Sequence, residues 1–219
     1  MTRRDFILCS SGALAAQAIA RPIRSNLGGR DDKPNGAEPI GPYDAQVEYL
    51  ESTGTQFITT KINPSGATSW RAEIVCLPRN ISGHMSLIGC WYNTLGRESV
   101  GISNRVWSQT SISVIYSDYT TVVADETGQY FNGTKGNSNN IAGGILFLFN
   151  RYNITTQYPW KGIIASCTIA VNGIMVRDFI PVRFTNDLGA TEGAMYDRVS
   201  GDLFRNIGTG SFGIGPDVK

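Results

Sequence analysis

The segment GIIASCTIAVNGIMVRDFIPV, residues 162–182, constrains the fold more than any other part of the chain. Two apolar, strand-like runs flank Asn172 and Gly173. An Asn-Gly pair is a preferred centre of the type I′ hairpin turn, in which both residues take a positive φ. An isolated hairpin is only marginally stable in water, so a hairpin of this length needs further strands beside it. The segment therefore predicts a β-sheet protein built around this turn.

Shorter strand-like runs separated by turn residues fill most of the chain after residue 42. In SWRAEIVCL, residues 69–77, alternation places Trp70, Ala72, Ile74 and Cys76 on one face. A second hairpin, AMYDRVSGDLFRN, is predicted to turn at Ser200-Gly201. Nothing after residue 20 keeps helical periodicity for more than two turns. These patterns predict an all-β fold with a closed or double sheet, either a sandwich or a jelly roll.

The second half of the central hairpin, IMVRDFIPVR, places an acid among core-like residues. Alternation puts Asp178 on the same face as Ile174, Val176, Ile180 and Val182. Because a buried carboxylate is costly without partners, we expect Asp178 to be a structural strut that hydrogen-bonds backbone N–H groups or pairs with an arginine. Pro181 is expected to mark where the strand leaves the ladder. The residues predicted to be structural are Arg177, Asp178, Pro181, Asn172 and Gly173.

The first twenty residues predict an export signal. The sequence TRRDFI resembles the twin-arginine (Tat) pattern [ST]-R-R-x-F-[LI], and a short apolar run with A-x-A sites at Ala18 and Ala20 follows it. That run is too short to span a bilayer stably. Residues 21–42 contain eight Gly or Pro residues and are expected to be a flexible linker, so residues 43–219 form the predicted domain. The expected location is periplasmic, cell-surface or extracellular.

Charge and cysteine content restrict the partners of the exported chain. Without residues 1–20 it has 17 basic and 17 acidic residues, so nothing favours binding to nucleic acid or to an anionic membrane. No stable membrane span is predicted in this mature chain. Its three cysteines, Cys76, Cys90 and Cys167, are an odd number, which argues against a full disulfide framework. Cys76 and Cys167 fit buried strand positions, and a Cys76–Cys90 bridge is left open.

The two ends of the predicted domain resemble one known family. VEYLESTGTQFITTKI, residues 47–62, is similar to the opening of bacterial and phage-associated concanavalin A-like (laminin-G-like) domains. Three later stretches follow the order and spacing of that family: LFLFNRYN, residues 146–153, residues 164–183, and GAMYDRVSGDLFRNIGTGSFGIGP, residues 193–216. The resemblance covers roughly residues 46–216. It implies a two-sheet antiparallel jelly roll with a convex and a concave face, and many relatives of that fold bind glycans on the concave face or its rim loops.

No catalytic residue is predicted. Glycoside hydrolysis needs two carboxylates across the scissile bond, but strand 69–77 offers Glu73 alone, and Asp197 and Asp202 flank a predicted turn. The single histidine, His84, lies in a loop-like stretch without a nucleophile elbow nearby. One His and three scattered Cys do not make a zinc site. Calcium is left open at Asp125-Glu126 and Asn186-Asp187, although polar turns explain both stretches, and no other cofactor is expected.

Glycan binding needs only aromatic faces and a few polar groups that fix hydroxyls. The candidate ligand-binding residues lie in three stretches: Trp91, Tyr92, Asn93; Trp107; and Asn150, Arg151, Tyr152, Tyr158, Trp160. Some of these aromatic residues are expected to pack inside the domain instead. The sequence thus predicts an exported, non-enzymatic, lectin-like domain. A structural or protein-interaction surface module and a cryptic glycoside hydrolase or lyase remain as alternatives.

Overall fold

The computed structural model describes residues 41–80, 83–92, 96–103, 106–107, 112–114, 117–136, 144–151 and 158–219. Residues 91–92, 96–99, 102–103 and 106 are described by their backbone alone. The predicted export signal and all but the last two residues of the predicted linker lie outside the described residues. Everything below therefore concerns the predicted domain.

Within this part of the chain the structure contains β-strands and no helix. The strands are β1 (Ala45–Gln46), β2 (Leu50–Ser52), β3 (Ile58–Thr59), β4 (Trp70–Pro78), β5 (His84–Tyr92), β6 (Gly96–Ser103), β7 (Val106–Trp107), β8 (Thr120–Asp125), β9 (Gly128–Phe131), β10 (Thr134–Lys135), β11 (Phe147–Leu148), β12 (Gly162–Val171), β13 (Ile174–Thr185), β14 (Thr191–Asp197), β15 (Leu203–Arg205) and β16 (Gly213–Ile214). The prediction of an all-β fold is confirmed.

The strands form two antiparallel sheets. The 11-stranded sheet has the order β10-β9-β8-β4-β12-β13-β14-β15, with β1 added to β13, and β2 placed between β12 and β16. The 5-stranded sheet has the order β3-β11-β5-β6-β7. The main core takes side chains from both sheets, for example Ile74 and Cys167 from the large sheet and Leu87 and Val100 from the small one. The architecture is therefore a β-sandwich.

The central hairpin has the predicted turn. Asn172 and Gly173 have φ values of 51° and 74°, which is the left-handed pair that a type I′ turn requires. The Asn172 side-chain oxygen also accepts hydrogen bonds from the backbone N–H groups of Thr68 and Ser69, at 2.9 and 3.2 Å. The turn thus holds the entry to β4 as well as joining β12 to β13. The second predicted hairpin, between β14 and β15, is also present.

Strand faces match the sequence pattern where the ladder is regular. Trp70, Ala72, Ile74 and Cys76 of β4 all lie in the main core, as alternation predicts. In β12, strict alternation predicts that Ile163 and Ala165 share the face of Cys167. This prediction is wrong, because the pairing with β4 shifts register between Ile164 and Ser166. The extra residue reverses the alternation, so Ile164 joins the core and Ile163 points to the outer face.

A second register shift corrects the prediction for β13. The pairing with β12 shifts opposite Ile169/Ala170, which leaves Val176 as an extra residue and puts Arg177 and Phe179 on the core face. Asp178 therefore points to the outer face of the sheet rather than to the core. The strand also continues past Pro181 to Thr185, contrary to the expectation that it leaves the ladder there. Beyond the β12 ladder, β13 pairs with β1, so Pro181 lies where the neighbouring strand changes.

The three described cysteines are buried. Cys76, Cys90 and Cys167 are thiols, so the Cys76–Cys90 bridge that the sequence left open is not formed. Burial raises the pKa of the Cys76 and Cys167 thiols far above its ordinary value, and nearby Asp178 and Asp197 add to the effect on Cys167. Both thiols therefore stay protonated at neutral pH, which makes them poor nucleophiles.

Candidate functional site

The described candidate residues 150–151 and 158–160 lie close together beside the small sheet. The Asn150 side-chain oxygen accepts hydrogen bonds from the backbone N–H groups of Arg151 and Tyr158, at 2.8 and 3.1 Å. Backbone hydrogen bonds from Trp160 N–H to Phe149 C=O and from Ser86 N–H to Tyr158 C=O hold the same two segments in place. Asn150 thus has a structural role, because its side chain joins residues 150–151 to Tyr158; we call these two hydrogen bonds the Asn150 clamp.

Above this clamp three polar or aromatic side chains come together. The Arg151 guanidinium lies 4.0 Å from the centroid of the Tyr158 ring. The His84 ring meets the same tyrosine edge-on, with centroids 6.2 Å apart and planes at 79°. Arg151 is buried at 6% exposure, whereas His84 is exposed and Tyr158 is half-buried. Residues far apart in sequence therefore build one cluster at the start of β5, here called the Tyr158 cluster (His84, Arg151, Tyr158).

Trp107 and Trp160 do not join this cluster as exposed platforms. The Trp107 ring stacks on Phe131 at a centroid distance of 4.5 Å and on Trp160 at 6.2 Å. Their exposures are 1% and 0%, because the three rings pack between the two sheets. A ligand outside the sandwich cannot reach their faces. The expectation that these two tryptophans bind a sugar is corrected: they are core residues, joined by Phe131 into the aromatic stack.

Several polar atoms near the aromatic stack have no hydrogen-bond partner among the described residues. They are Asn150 Nδ2, Trp160 Nε1 and both amide atoms of Gln129, each buried. Gln129 lies two residues before Phe131 in β9, so both side chains point into the sandwich. An unsatisfied buried polar group costs about 1–3 kcal/mol. The sequence analysis missed Gln129, although its alternation with Phe131 was a signal.

The remaining candidates cannot be placed as side chains. Trp91 and Tyr92 are the last two residues of β5, and only their backbone is described. Asn93 and Tyr152 lie outside the described residues. Of the nine predicted ligand-binding residues, the structure therefore brings Asn150, Arg151 and Tyr158 together at the loop.

Asp178, the acid that the sequence places among core-like residues, belongs to a second site. Asp178 accepts two hydrogen bonds from the Arg198 guanidinium, at 2.8 and 3.0 Å, on the outer face of the large sheet. These bonds raise the pKa of Arg198. Asp178 therefore has the arginine partner that the sequence led us to expect, on the outer face of the sheet.

The fully buried acid is Asp197, which the sequence analysis interpreted as a turn residue. Its carboxylate accepts hydrogen bonds from the backbone N–H groups of Asp178, Val199 and Ser200, at 2.8, 3.2 and 3.2 Å, and lies 3.4 Å from Arg177 Nη1. The turn role is correct, but this carboxylate also faces the core. Arg177 and Asp178 in β13 thus form one ion pair on each face of the sheet, with Asp197 at the end of β14 and Arg198 just after it. We call these four residues the β13–β14 junction.

The first and the last of the motifs that carried the family resemblance, residues 47–62 and 193–216, meet in space. Thr55 Oγ1 donates to Thr209 C=O at 2.8 Å, and Phe57 N–H donates to the Asn206 side chain at 3.1 Å. A Cβ atom at Gly208 would lie 1.9 Å from Thr55 O, so only glycine allows this approach. These two motifs therefore record how the start and the end of the domain pack together.

The stretches considered for calcium act as polar turns in this structure. The Asp125 side chain accepts hydrogen bonds from Thr127 and Gly128 N–H groups, and the Glu126 side chain accepts one from Trp70 N–H. The Asn186 side-chain oxygen accepts from Leu188 and Ala190 N–H groups. Across the described side chains, no three His, Cys, Asp or Glu residues are grouped where they would hold a metal ion.

Comparison with known proteins gives no family. No protein-family model and no curated protein significantly matches this sequence. In the part of the chain that the structure describes, no helix has the length and apolar character required to cross a membrane.

Proposed function

We propose that this protein is an exported, non-enzymatic jelly-roll domain of the concanavalin A-like kind, and that it binds glycan. The export-like N-terminus and the family resemblance of residues 46–216 support the first part. The two-sheet sandwich is compatible with a jelly roll. The observation that carries the binding proposal is the Tyr158 cluster, in which an arginine, an aromatic ring and an exposed histidine assemble at one loop.

The cluster has the chemistry that sugar recognition uses. A tyrosine ring offers an apolar face to C–H groups, while the exposed His84 offers ring nitrogens that hydrogen-bond a sugar hydroxyl. Stacking on Arg151 and the Asn150 clamp hold the Tyr158 ring in place before any ligand arrives. A pre-positioned ring loses little conformational entropy on binding.

The carboxylates considered for hydrolysis are used elsewhere, which supports a non-enzymatic role. Glu73 forms an ion pair with Arg71 at 2.9 Å, and Asp197 is buried at the β13–β14 junction. A catalytic pair would need two carboxyl groups facing each other across a groove.

A structural or protein-interaction module is the second candidate. The burial of Trp107 and Trp160 favours it, since it removes two of the largest predicted sugar platforms from the surface. The two candidates differ in whether the Tyr158 cluster takes a saccharide.

A glycan array followed by titration of the full-length protein separates the two candidates. We expect saturable binding of at least one saccharide at or below millimolar concentration. Tyr158→Ala should weaken it about tenfold, because a lost aromatic contact is worth about 0.5–1.5 kcal/mol. Tyr158→Phe should bind like the parent, and Tyr130→Ala, on β9 in the other sheet, is the matched control. No binding of any saccharide at millimolar concentration would favour the interaction module.

A further inference from the structure

The single histidine of the chain, His84, lies inside the candidate binding site. Its imidazole is exposed and meets the Tyr158 ring at 79°, with centroids 6.2 Å apart. Histidine is the side-chain type whose charge ordinarily changes between about pH 5 and pH 8. The Tyr158 cluster therefore contains a group that gains a positive charge in mildly acidic surroundings.

A second basic side chain lies on the same tyrosine ring. The Arg151 guanidinium is 4.0 Å from the Tyr158 ring centroid, and this arginine is buried. An arginine stays charged at every pH in this range, and water screens a buried charge less than a surface charge. Among the described side chains, neither Tyr158 nor His84 hydrogen-bonds or pairs with a carboxylate. The contacts of this ring are thus basic.

Strand β6, on one side of β5, brings no described carboxylate to His84. Its charged residues, Arg97 and Glu98, pair with residues 90–91 at the far end of β5. Six residues of strand separate the two positions, on the order of 20 Å. Arg105, two residues after β6, lies outside the described residues.

The segment 158–161, on the other side of β5, leads to one carboxylate that is already paired. Lys161 C=O accepts a hydrogen bond from Arg79 N–H at 2.9 Å, and the Lys161 side chain lies along Gly54. Arg79 Nε in turn lies 3.5 Å from Glu51 Oε1. The charged groups of the elements around His84 therefore do not oppose an anionic ligand.

We propose that the Tyr158 cluster binds acidic saccharides, whose sugar rings carry carboxylates, and that protonation of His84 strengthens this binding. The inference rests on the proposed glycan-binding function and specifies the ligand class of the same site. A protonated imidazole donates from both ring nitrogens and forms a charge-assisted hydrogen bond with a carboxylate. A neutral imidazole has one N–H and no charge, so the carboxylate loses this partner as the pH rises.

A neutral saccharide would not show the same dependence on pH. A sugar hydroxyl both donates and accepts hydrogen bonds, so it has a partner in either protonation state of the imidazole. The change in affinity with pH therefore reports the charge of the ligand as well as the role of His84.

Titration of the untagged full-length protein with galacturonate and mannuronate hexamers, at about pH 5.5 and about pH 8, tests the inference. Carboxyl-reduced forms of the same hexamers are the matched neutral probes. We expect at least one acidic hexamer to bind about tenfold more tightly at the lower pH, because charge-assisted hydrogen bonds are about twice as strong as neutral ones. The carboxyl-reduced forms should bind more weakly, with little change between the two pH values.

The variant His84→Gln keeps a hydrogen-bonding side chain without the titrating ring. It should bind the acidic hexamer equally at both pH values, with the weaker affinity that the parent shows at about pH 8. Because the variant retains every other titrating group of the chain, including its terminus, this comparison isolates the imidazole. The position is exposed, so the substitution should leave the fold intact.

NMR adds a readout that a purely structural role of His84 would not move. With one histidine, the untagged protein gives one set of imidazole signals to follow against pH. A ligand that prefers the charged ring also favours its protonation, since the coupling is reciprocal. A tenfold preference should therefore move the titration midpoint upward by about one pH unit when the acidic hexamer is saturating.

The outcomes separate the ligand class from the function itself. The inference is wrong, and the glycan-binding function stands, if the array and the hexamers yield only neutral ligands. The same holds if acidic hexamers bind equally at both pH values, or if their pH dependence persists in His84→Gln. If no saccharide binds the parent protein at millimolar concentration, both proposals fail.

Discussion

The β13–β14 junction and the aromatic stack both bury polar groups, but only the junction satisfies them. At the junction Asp197 is fully buried, and its carboxylate receives three backbone N–H groups and the Arg177 guanidinium. Near the aromatic stack, Gln129 is equally buried, yet neither of its amide atoms has a partner among the described residues. The difference separates a self-contained structural site from a region that retains unused hydrogen-bonding capacity.

This contrast also changes which parts of the sequence are candidates for function. The recognisable motifs, including Arg-Asp at 177–178, belong to the satisfied region and explain how the sheet is assembled. The Tyr158 cluster lies near unsatisfied polar atoms, since Asn150 Nδ2 and the Trp160 indole N–H also have no hydrogen-bond partner among the described residues. In this domain the Arg-Asp motif at 177–178 has a structural role, while the residues near the unsatisfied polar atoms are the candidates for binding.

The strongest test of the comparison is Asp197→Ala. The substitution leaves the Arg177 charge without its carboxylate and three backbone N–H groups without their acceptor. We expect the free energy of unfolding to fall by about 3–5 kcal/mol, as when one partner of a buried ion pair is removed. Urea denaturation measures the loss. A decrease below about 1 kcal/mol would show that the junction contributes little to stability.

Gln129→Leu tests the other region with the opposite sign. Replacing an unpartnered buried amide by an apolar side chain of similar size removes the desolvation cost without breaking a hydrogen bond. We expect the melting temperature to be unchanged or raised, with a gain of up to about 2 kcal/mol. Gln56→Leu is the matched control. The Gln56 side chain accepts a hydrogen bond from Thr53 N–H, so we expect this substitution to destabilise the protein. Clear destabilisation by Gln129→Leu would mean that its amide is satisfied.

Asp178→Asn should give the smallest effect. Its ion pair with Arg198 lies on the outer face, where the arginine side chain is 57% exposed, so the pair is worth about 0.2–1 kcal/mol. We expect a small decrease in melting temperature that disappears in an Arg198→Gln background, and unchanged saccharide affinity of the folded protein. Loss of binding at unchanged stability would instead give Asp178 a functional role.

Local sequence signals predicted the regular parts of this fold. The Asn172-Gly173 turn and the core face of β4 follow from residue chemistry and alternation alone. The bulges at Ala165 and Val176 could not be predicted, because one extra residue in one strand changes no local pattern but reverses every face beyond it. That reversal is why Asp178 was expected on the core face that Arg177 occupies.

The candidate site was less predictable for a related reason. Trp107 and Trp160 have the composition of a sugar platform, but whether a ring is exposed depends on which strands pack over it. Stacking on Phe131, from the other sheet, decided the outcome. The Arg151–Tyr158 contact was within reach of the sequence analysis, since both residues were candidates in one stretch, whereas His84 joined them only through the fold.

The contact between residues 46–47 and residues 217–218 has a consequence for domain architecture. Val218 N–H donates to Gln46 C=O, and Val47 bridges to Asp217, so the polypeptide enters and leaves the domain at adjacent points. A module with neighbouring ends can be inserted into a surface loop of a host protein without separating the two sides of that loop. Such a module can also occur as tandem copies in one polypeptide.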